Sequence, residues 1–197
     1  MPIKILFVTG NKNKLAEARE ILGDKFQVDT IDIDLPEIQS TSVKEVMENK
    51  IKIAYEEASK IYGENINIIC EDTGLSFANM NDFPGALIKF YYKAIGNEGI
   101  VKHNKGSKCT ANTVIGLHNN YGTFFIEGIT KGTVPNKVPK VEGFAWDKIF
   151  IPDISSKNTK FMKYKGKTYA EIPIEIKNKI SQRSKAFIKL KKHFLLK

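Results

Sequence analysis

The sequence predicts an α/β domain on a mixed β-sheet, and three observations carry that prediction. Short apolar runs rich in β-formers, at 3–8, 26–33 and 66–70, alternate with stretches whose apolar residues recur at helical spacing. Residues 110–118 and 123–134 read as the two strands of a hairpin, which makes the sheet mixed rather than purely parallel. At 197 residues and 42% hydrophobic content, the chain has the size of one domain, 1–197, with one core.

The first run, 3–8, ends at Thr9, Gly10 and Asn11, a strand entering a tight turn. From Lys12 the period becomes helical through Leu15, Ala18 and Leu22, and Gly23 stands where a left-handed cap is expected. The run 26–33 leads to Leu35-Pro36-Glu37, where proline ends regular pairing. Ser42 and Glu45 form a capping-box pattern; Val43, Val46, Met47, Ala54, Ala58 and Ile61 then trace one face of a long helix ending near Gly63. The strand 66–70 is expected to deliver Glu71-Asp72-Thr73-Gly74 at its C-terminal end. Pro84-Gly85 predicts the start of a helix over 86–95, and the hairpin is expected to turn at Asn119, Asn120 and Gly122. Helices over 170–179 and 182–195 close the chain, the second with Phe187, Leu190 and Phe194 inward.

The 31 Lys+Arg against 22 Asp+Glu give a net charge of +9, which favours nucleotides, nucleic acid or a membrane surface as partners. Much of the excess lies in KNTKFMKYKGK and the tail KLKKHFLLK, which read as solvated surface. No apolar run approaches the roughly 20 residues of a membrane span, and MPIKILFVTGN lacks a secretory pattern. The expectation is a cytoplasmic protein without a membrane partner. Cys70 and Cys109 have no CxxC spacing and are expected to be buried, inert thiols. His103, His118 and His193 lack metal spacing, and neither a GxSxG elbow nor a Cys-His pair offers a covalent nucleophile. A metal-activated water is therefore favoured.

Four stretches can carry chemistry, each beside a plainer reading. Amides and dipole at the Thr9–Asn11 turn suit a phosphate, with Gly10 allowing close approach and Lys12 and Lys14 adding charge. TGNKNKL does not match GxxxxGK[ST], so the turn is no P-loop, and it could equally be an ordinary turn with solvated lysines. Glu37, Glu71 and Asp72 could share a Mg²⁺ with substrate phosphates, or be solvated acids. EGFAWD, at 142–147, holds the only tryptophan, whose ring could stack on a purine or anchor the core. Lys177 and Arg183 flank a helix-to-helix joint at Ser181, which could converge donors on an acceptor or be basic surface.

Taken in order, VTGNKNK, IDLPE, CEDTGL, PGALIKF, GFAWD, and TYAEIP followed by KNKISQR closely resemble the inosine triphosphate pyrophosphatase family over almost the whole chain. The resemblance implies an elongated mixed β-sheet flanked by helices, of the Maf/Ham1 type, a homodimer, and a Mg²⁺ requirement. It also implies hydrolysis of ITP, dITP or XTP, non-standard purine nucleoside triphosphates, to the monophosphate and pyrophosphate, without a stable nucleic-acid partner. Carried over by motif, Thr9, Gly10, Asn11 and Lys14 would hold the triphosphate, with Lys50, Thr73 and Lys89 as further substrate contacts. Glu37 and Asp72 would be metal ligands, and Asp72 or Glu71 the catalytic base. Phe144, Ala145, Trp146 and Asp147 would form the base pocket, closed by Lys177, Gln182 and Arg183. The family usually has glycine, proline and histidine where this chain has Ala145, Lys148 and Gln182; the last bears on base selectivity, because glutamine cannot become cationic. The alternatives are a basic nucleic-acid-binding module without turnover, against which no RRM or KH signature is found, and a pyrophosphatase of different base preference.

Overall fold

The computed structural model describes residues 1–156 and 158–196. β1 (Ile3–Val8) is apolar on both faces and is covered on both. Ile5 and Phe7 pack with Ala18, Leu22 and Phe187 on one side, Leu6 and Val8 with Val43, Met47 and Ala54 on the other. Asn11 Oδ1 accepts from Asn13 N (3.0 Å) and Lys14 N (3.3 Å), capping α1 (Lys12–Leu22), which ends at Gly23. β2 (Phe26–Ile31) returns parallel to β1 and is two residues shorter than expected. α2 (Val43–Tyr62) starts on the Ser42 cap, but Glu45 turns its carboxylate to Ser40 Oγ (2.6 Å) instead of completing a capping box. Ile61, expected inward, is exposed in the last turn of α2.

β3 (Ile68–Phe77) is where the structure departs most from expectation. It does not end before Glu71. It runs ten residues, held along its length by β5 (Lys108–Asn119) from Ile68↔His118 to Phe77↔Cys109. Pro84-Gly85 is not a helix start but a two-residue strand, β4 (Pro84–Gly85), paired with Leu75 and Ser76. α3 (Ile88–Asn104) follows and is kinked at Gly96. β5 and β6 (Gly122–Thr133) form the expected hairpin, with Asn119 Oδ1 accepting from Tyr121 N (3.0 Å) across the turn. β7 (Ile151–Pro152) completes a seven-stranded mixed sheet of order β2-β1-β3-β5-β6-β7, with β4 beside β3. The helix expected over 170–179 is a 3-10 turn, Tyr169–Glu171, then α4 (Ile174–Ile180); Pro173 between them has no N–H to continue a helix. Ser181 caps α5 (Gln182–Leu195), where Phe187 and Leu190 are buried.

The core lies in clusters along the sheet. α1 and α5 cover one face and α2 the other around Ile68–Cys70, while α3, Phe150 and Tyr169 enclose Leu75 and Phe77 farther along β3. The polar stretch from Glu71 to Gly74 falls between them. Cys70 and Cys109 are buried free thiols, and burial pushes both up to about 12, as expected of inert cysteines. Among the described residues no helix is long and apolar enough to cross a membrane.

Candidate active site

β1 pairs with β3 only at Ile68 and Ile69, and β4 takes up the same edge again at Leu75. Between them, among the described residues, this edge of β3 has no neighbouring strand, and a cleft of about 1230 Å³ opens there. Lys14 reaches from the first turn of α1 into the gap, its Nζ donating to Glu71 O (3.3 Å). Thr9, Gly10 and Asn11 line the cleft where β1 ends, together with Glu37, Lys50, Thr73 and Lys89. Phe144, Ala145, Trp146, Asp147, Lys177, Gln182 and Arg183 line it at the other side. Every residue carried over by motif, Glu71 and Asp72 included, therefore lines one cavity, whereas Lys12, also offered from the sequence for phosphate, is not among its lining residues.

Because strand side chains alternate, Glu71 and Asp72 leave β3 on opposite faces. Glu71 is fully enclosed. Arg183 Nε donates to its Oε2 (3.1 Å), Thr73 Oγ1 to its Oε1 (2.6 Å), and Lys14 Nζ lies 3.5 Å from Oε2. Burial alone would push this carboxyl up, but Arg183 and Lys14, with the Thr73 bond, hold it at about 2. Among the described residues Asp72 has no such set of donors. Burial pushes it up to about 6, against the pull of Lys14 and Lys50 and with help from the charges of Glu71 and Glu37.

Lys50, from α2, pairs with Glu37 and lies in the field of Asp72. Despite burial, which pushes its carboxyl up, Glu37 is held below its ordinary value by that pairing and by the charges of Lys89 and Lys14. Among the described residues no three His, Cys, Asp or Glu side chains gather as a metal site. The donors that do face the cleft here, Glu37 and Asp72, are hard carboxylates. They fit a cation such as Mg²⁺, which takes one or two such oxygens and completes its shell with phosphate and water.

At the other side, Phe144 is 58% exposed. Trp146 packs edge-on against Phe150 (centroids 5.9 Å apart) and also lines the cleft, so it serves the core and the cavity together. Asp147 is raised by burial and drawn back by Lys177, whose Nζ lies 2.5 Å from its Oδ2. Tyr169 OH donates to Gln182 Oε1 (3.2 Å), which leaves the Gln182 amide to act as a donor.

Arg183, expected to converge on an acceptor, is largely engaged within the protein. Its Nη1 donates to Glu17 Oε2 (2.6 Å), while Nε and Nη2 go to Glu71, so only part of its donor set is uncommitted. Glu17 and Tyr169 were missed in the sequence. Glu17 stands one helical turn after Lys14 on the same face of α1, and that spacing is the signal that could have found it.

A profile of the Ham1 family matches residues 5–193. The inosine triphosphate pyrophosphatase of Kluyveromyces lactis is 37% identical over 199 residues, covering 96% of this chain and 95% of that protein. That of Emericella nidulans is 35% identical over 191 residues, covering 94% and 93%. Among solved structures, a HAM1 protein from Coxiella burnetii superposes with a TM-score of 0.74 at 22% identity, covering 99% of this chain and 100% of that one; this likeness shows the fold.

Proposed function

The chain belongs to the Ham1 family, and from that premise we propose that it hydrolyses the non-standard purine nucleoside triphosphates ITP, dITP and XTP to the monophosphate and pyrophosphate. The observation that carries this reading is one cleft lined by a helix N-terminus with lysines, by an acidic pair, and by an aromatic turn. Those three parts match polyphosphate, hard cation and purine. Relatives named for this activity over nearly their whole length leave the nucleic-acid alternative without support.

Glu37 and Asp72 are the residues that would hold Mg²⁺, which when bound supplies charge neutralisation and Lewis-acid polarisation of the phosphates. Lys14 and the Gly10–Lys12 backbone at the start of α1 bind the polyphosphate and stabilise the pyrophosphate that leaves. Asp72 is the carboxylate placed to take the proton of the water that attacks the α-phosphorus; about 6 is its value in the metal-free cleft, and a bound Mg²⁺ would lower it. Glu71, enclosed and held at about 2, is too weak a base, and instead ties Lys14 and Arg183 in place. No covalent intermediate is required.

Base choice follows from donor sense. Gln182 Nε2, the uncommitted N–H groups of Arg183, and the first-turn amides of α5 all donate. Hypoxanthine and xanthine present an O6 acceptor to them, whereas adenine presents an N6 donor and leaves them unpaired. The test is a panel of triphosphates with pyrophosphate detection. ITP should exceed ATP in kcat/KM by at least about 100-fold, and equal rates would reject the reading. The same proposal makes the protein a cytoplasmic homodimer, acting on free nucleotides rather than on nucleic acid or membrane; sedimentation equilibrium checks the dimer.

A further inference from the structure

The turn that carries Phe144 and Trp146 contains a conformation that alanine rarely adopts. Ala145 has φ +46°, and Asp147 N closes the turn on Phe144 O at 3.0 Å. Such a residue stays left-handed only where its surroundings over-determine it. The surroundings here come from α3. At Gly96 (φ +63°, ψ −179°) the helix breaks, and a Cβ at Gly96 would meet nothing within 4 Å, so glycine is required there by backbone angle and not by space.

The break redirects the next residue. In an unbroken helix residue 97 would stand over Lys93, on an exposed face. Instead Asn97 turns inward, and its Nδ2 donates to Ala145 O at 3.1 Å. Its Oδ1 is buried without a hydrogen-bond partner among the described residues, so the bond to Ala145 is what offsets the burial of this amide. Asn97 is not among the residues that line the cleft.

We propose that Asn97 is a positioning residue of the base pocket: its amide holds the Ala145 carbonyl and thereby fixes the left-handed turn that sets Phe144 and Trp146 against the cleft. The kinetic half of this proposal rests on the nucleotide-hydrolysis reading above. Because the clamp touches the purine end alone, its loss weakens substrate binding and spares the chemistry at Asp72.

Trp146 is the only tryptophan of the chain, so its fluorescence reports on this turn directly and without nucleotide. The experiment compares wild type, N97A, N97D, A145G and N97A/A145G by Trp146 emission and by KM and kcat for ITP. N97D keeps the shape and removes the donor. Both single Asn97 variants should shift the emission and raise KM for ITP about tenfold, the loss expected of one hydrogen bond, with kcat within about threefold. Adding A145G to N97A should return KM and emission to those of A145G alone, since glycine adopts positive φ without a clamp. Wild-type emission and KM in N97A, or a KM rise that A145G does not relieve, would overturn the proposal. Should wild type fail to hydrolyse ITP, the functional reading falls, while the emission shift and its reversal by A145G still decide the clamp.

Discussion

Glu71 and Asp72 are adjacent in sequence, but their carboxylates lie on opposite faces of β3, one among Arg183, Lys14 and Thr73, the other near Lys50. The two environments drive their affinities for a proton apart, and each direction has a consequence for stability. Glu71, held at about 2 in the fold against an ordinary 4.5, contributes stability that is present above about 4.5 and lost as pH falls toward 2. In urea denaturation E71Q should therefore be less stable than wild type at neutral pH by on the order of 3 kcal/mol, with the gap narrowing below about pH 4.5 and closing only near pH 2. Asp72 has the opposite sign. Its carboxyl is raised from 3.8 to about 6, so the ligand-free protein loses stability as pH rises through that interval. D72N, neutral at every pH, should raise the melting temperature of the ligand-free protein above pH 7, by about 2 kcal/mol in stability, while turnover falls several hundredfold or more. Near-normal turnover in D72N would remove Asp72 from the mechanism.

Among the elements, β6 poses a problem of its own, because β7 covers only its last two positions and leaves a long outer edge. Successive outward carbonyls of that edge are taken in turn: Lys131 O by Asp153 N (2.8 Å), Ile129 O by Lys185 Nζ (2.8 Å), Glu127 O by Lys189 Nζ (2.7 Å). Two lysines of α5 thus stand where another strand could pair. The double variant K185M/K189M keeps the apolar stems and removes the donors. It should lose about 1–2 kcal/mol in chemical denaturation and show concentration-dependent association in sedimentation velocity; a monodisperse variant of unchanged stability would show that the edge needs no such cover. These elements also mark what the sequence could reveal. Ser42 was legible as a cap because a cap depends on neighbours three residues away, whereas Asn11 and Ser181, which cap α1 and α5, were read as a turn and a joint. The second half of β3 was not, because Glu-Asp-Thr-Gly has the composition of a turn and only the distant β5 holds it extended. The residue types of the site were legible by motif. The pairing of Arg183 with Glu17, 166 positions apart, was not, and that pairing is what commits the guanidinium.

Across the whole molecule, the excess positive charge lies on solvated surface, as the sequence reading expected, and not in the cleft. The chain carries +9, yet nine carboxylates and six cationic side chains line the cleft. The excess lysines lie elsewhere, as at the exposed Lys160, Lys163, Lys165 and Lys167, so the cleft is not the basic groove that a nucleic-acid reading needs. A polyphosphate entering it would meet a net deficit of positive charge, and several of the cations present are already engaged: Lys50 with Glu37, Lys177 with Asp147, Arg183 with Glu17 and Glu71. A divalent cation shared by Glu37 and Asp72 would reverse that balance at the triphosphate end, where the local charge of a bound ion outweighs that of any single side chain. Nucleotide binding should then depend on metal before any chemistry occurs. D72N would remove a proposed metal ligand together with turnover, so binding is read in wild type with a non-hydrolysable ITP analogue, and E37Q is the companion variant. Followed by Trp146 quenching, affinity for that analogue should fall at least about tenfold in wild type when EDTA replaces Mg²⁺, a loss of about 1.4 kcal/mol. The Mg²⁺ concentration for half-maximal binding should rise in E37Q. Equal affinity in EDTA and Mg²⁺ would mean that Lys14, Lys50 and Lys89 balance the phosphates unaided, and would remove the cation from the binding step.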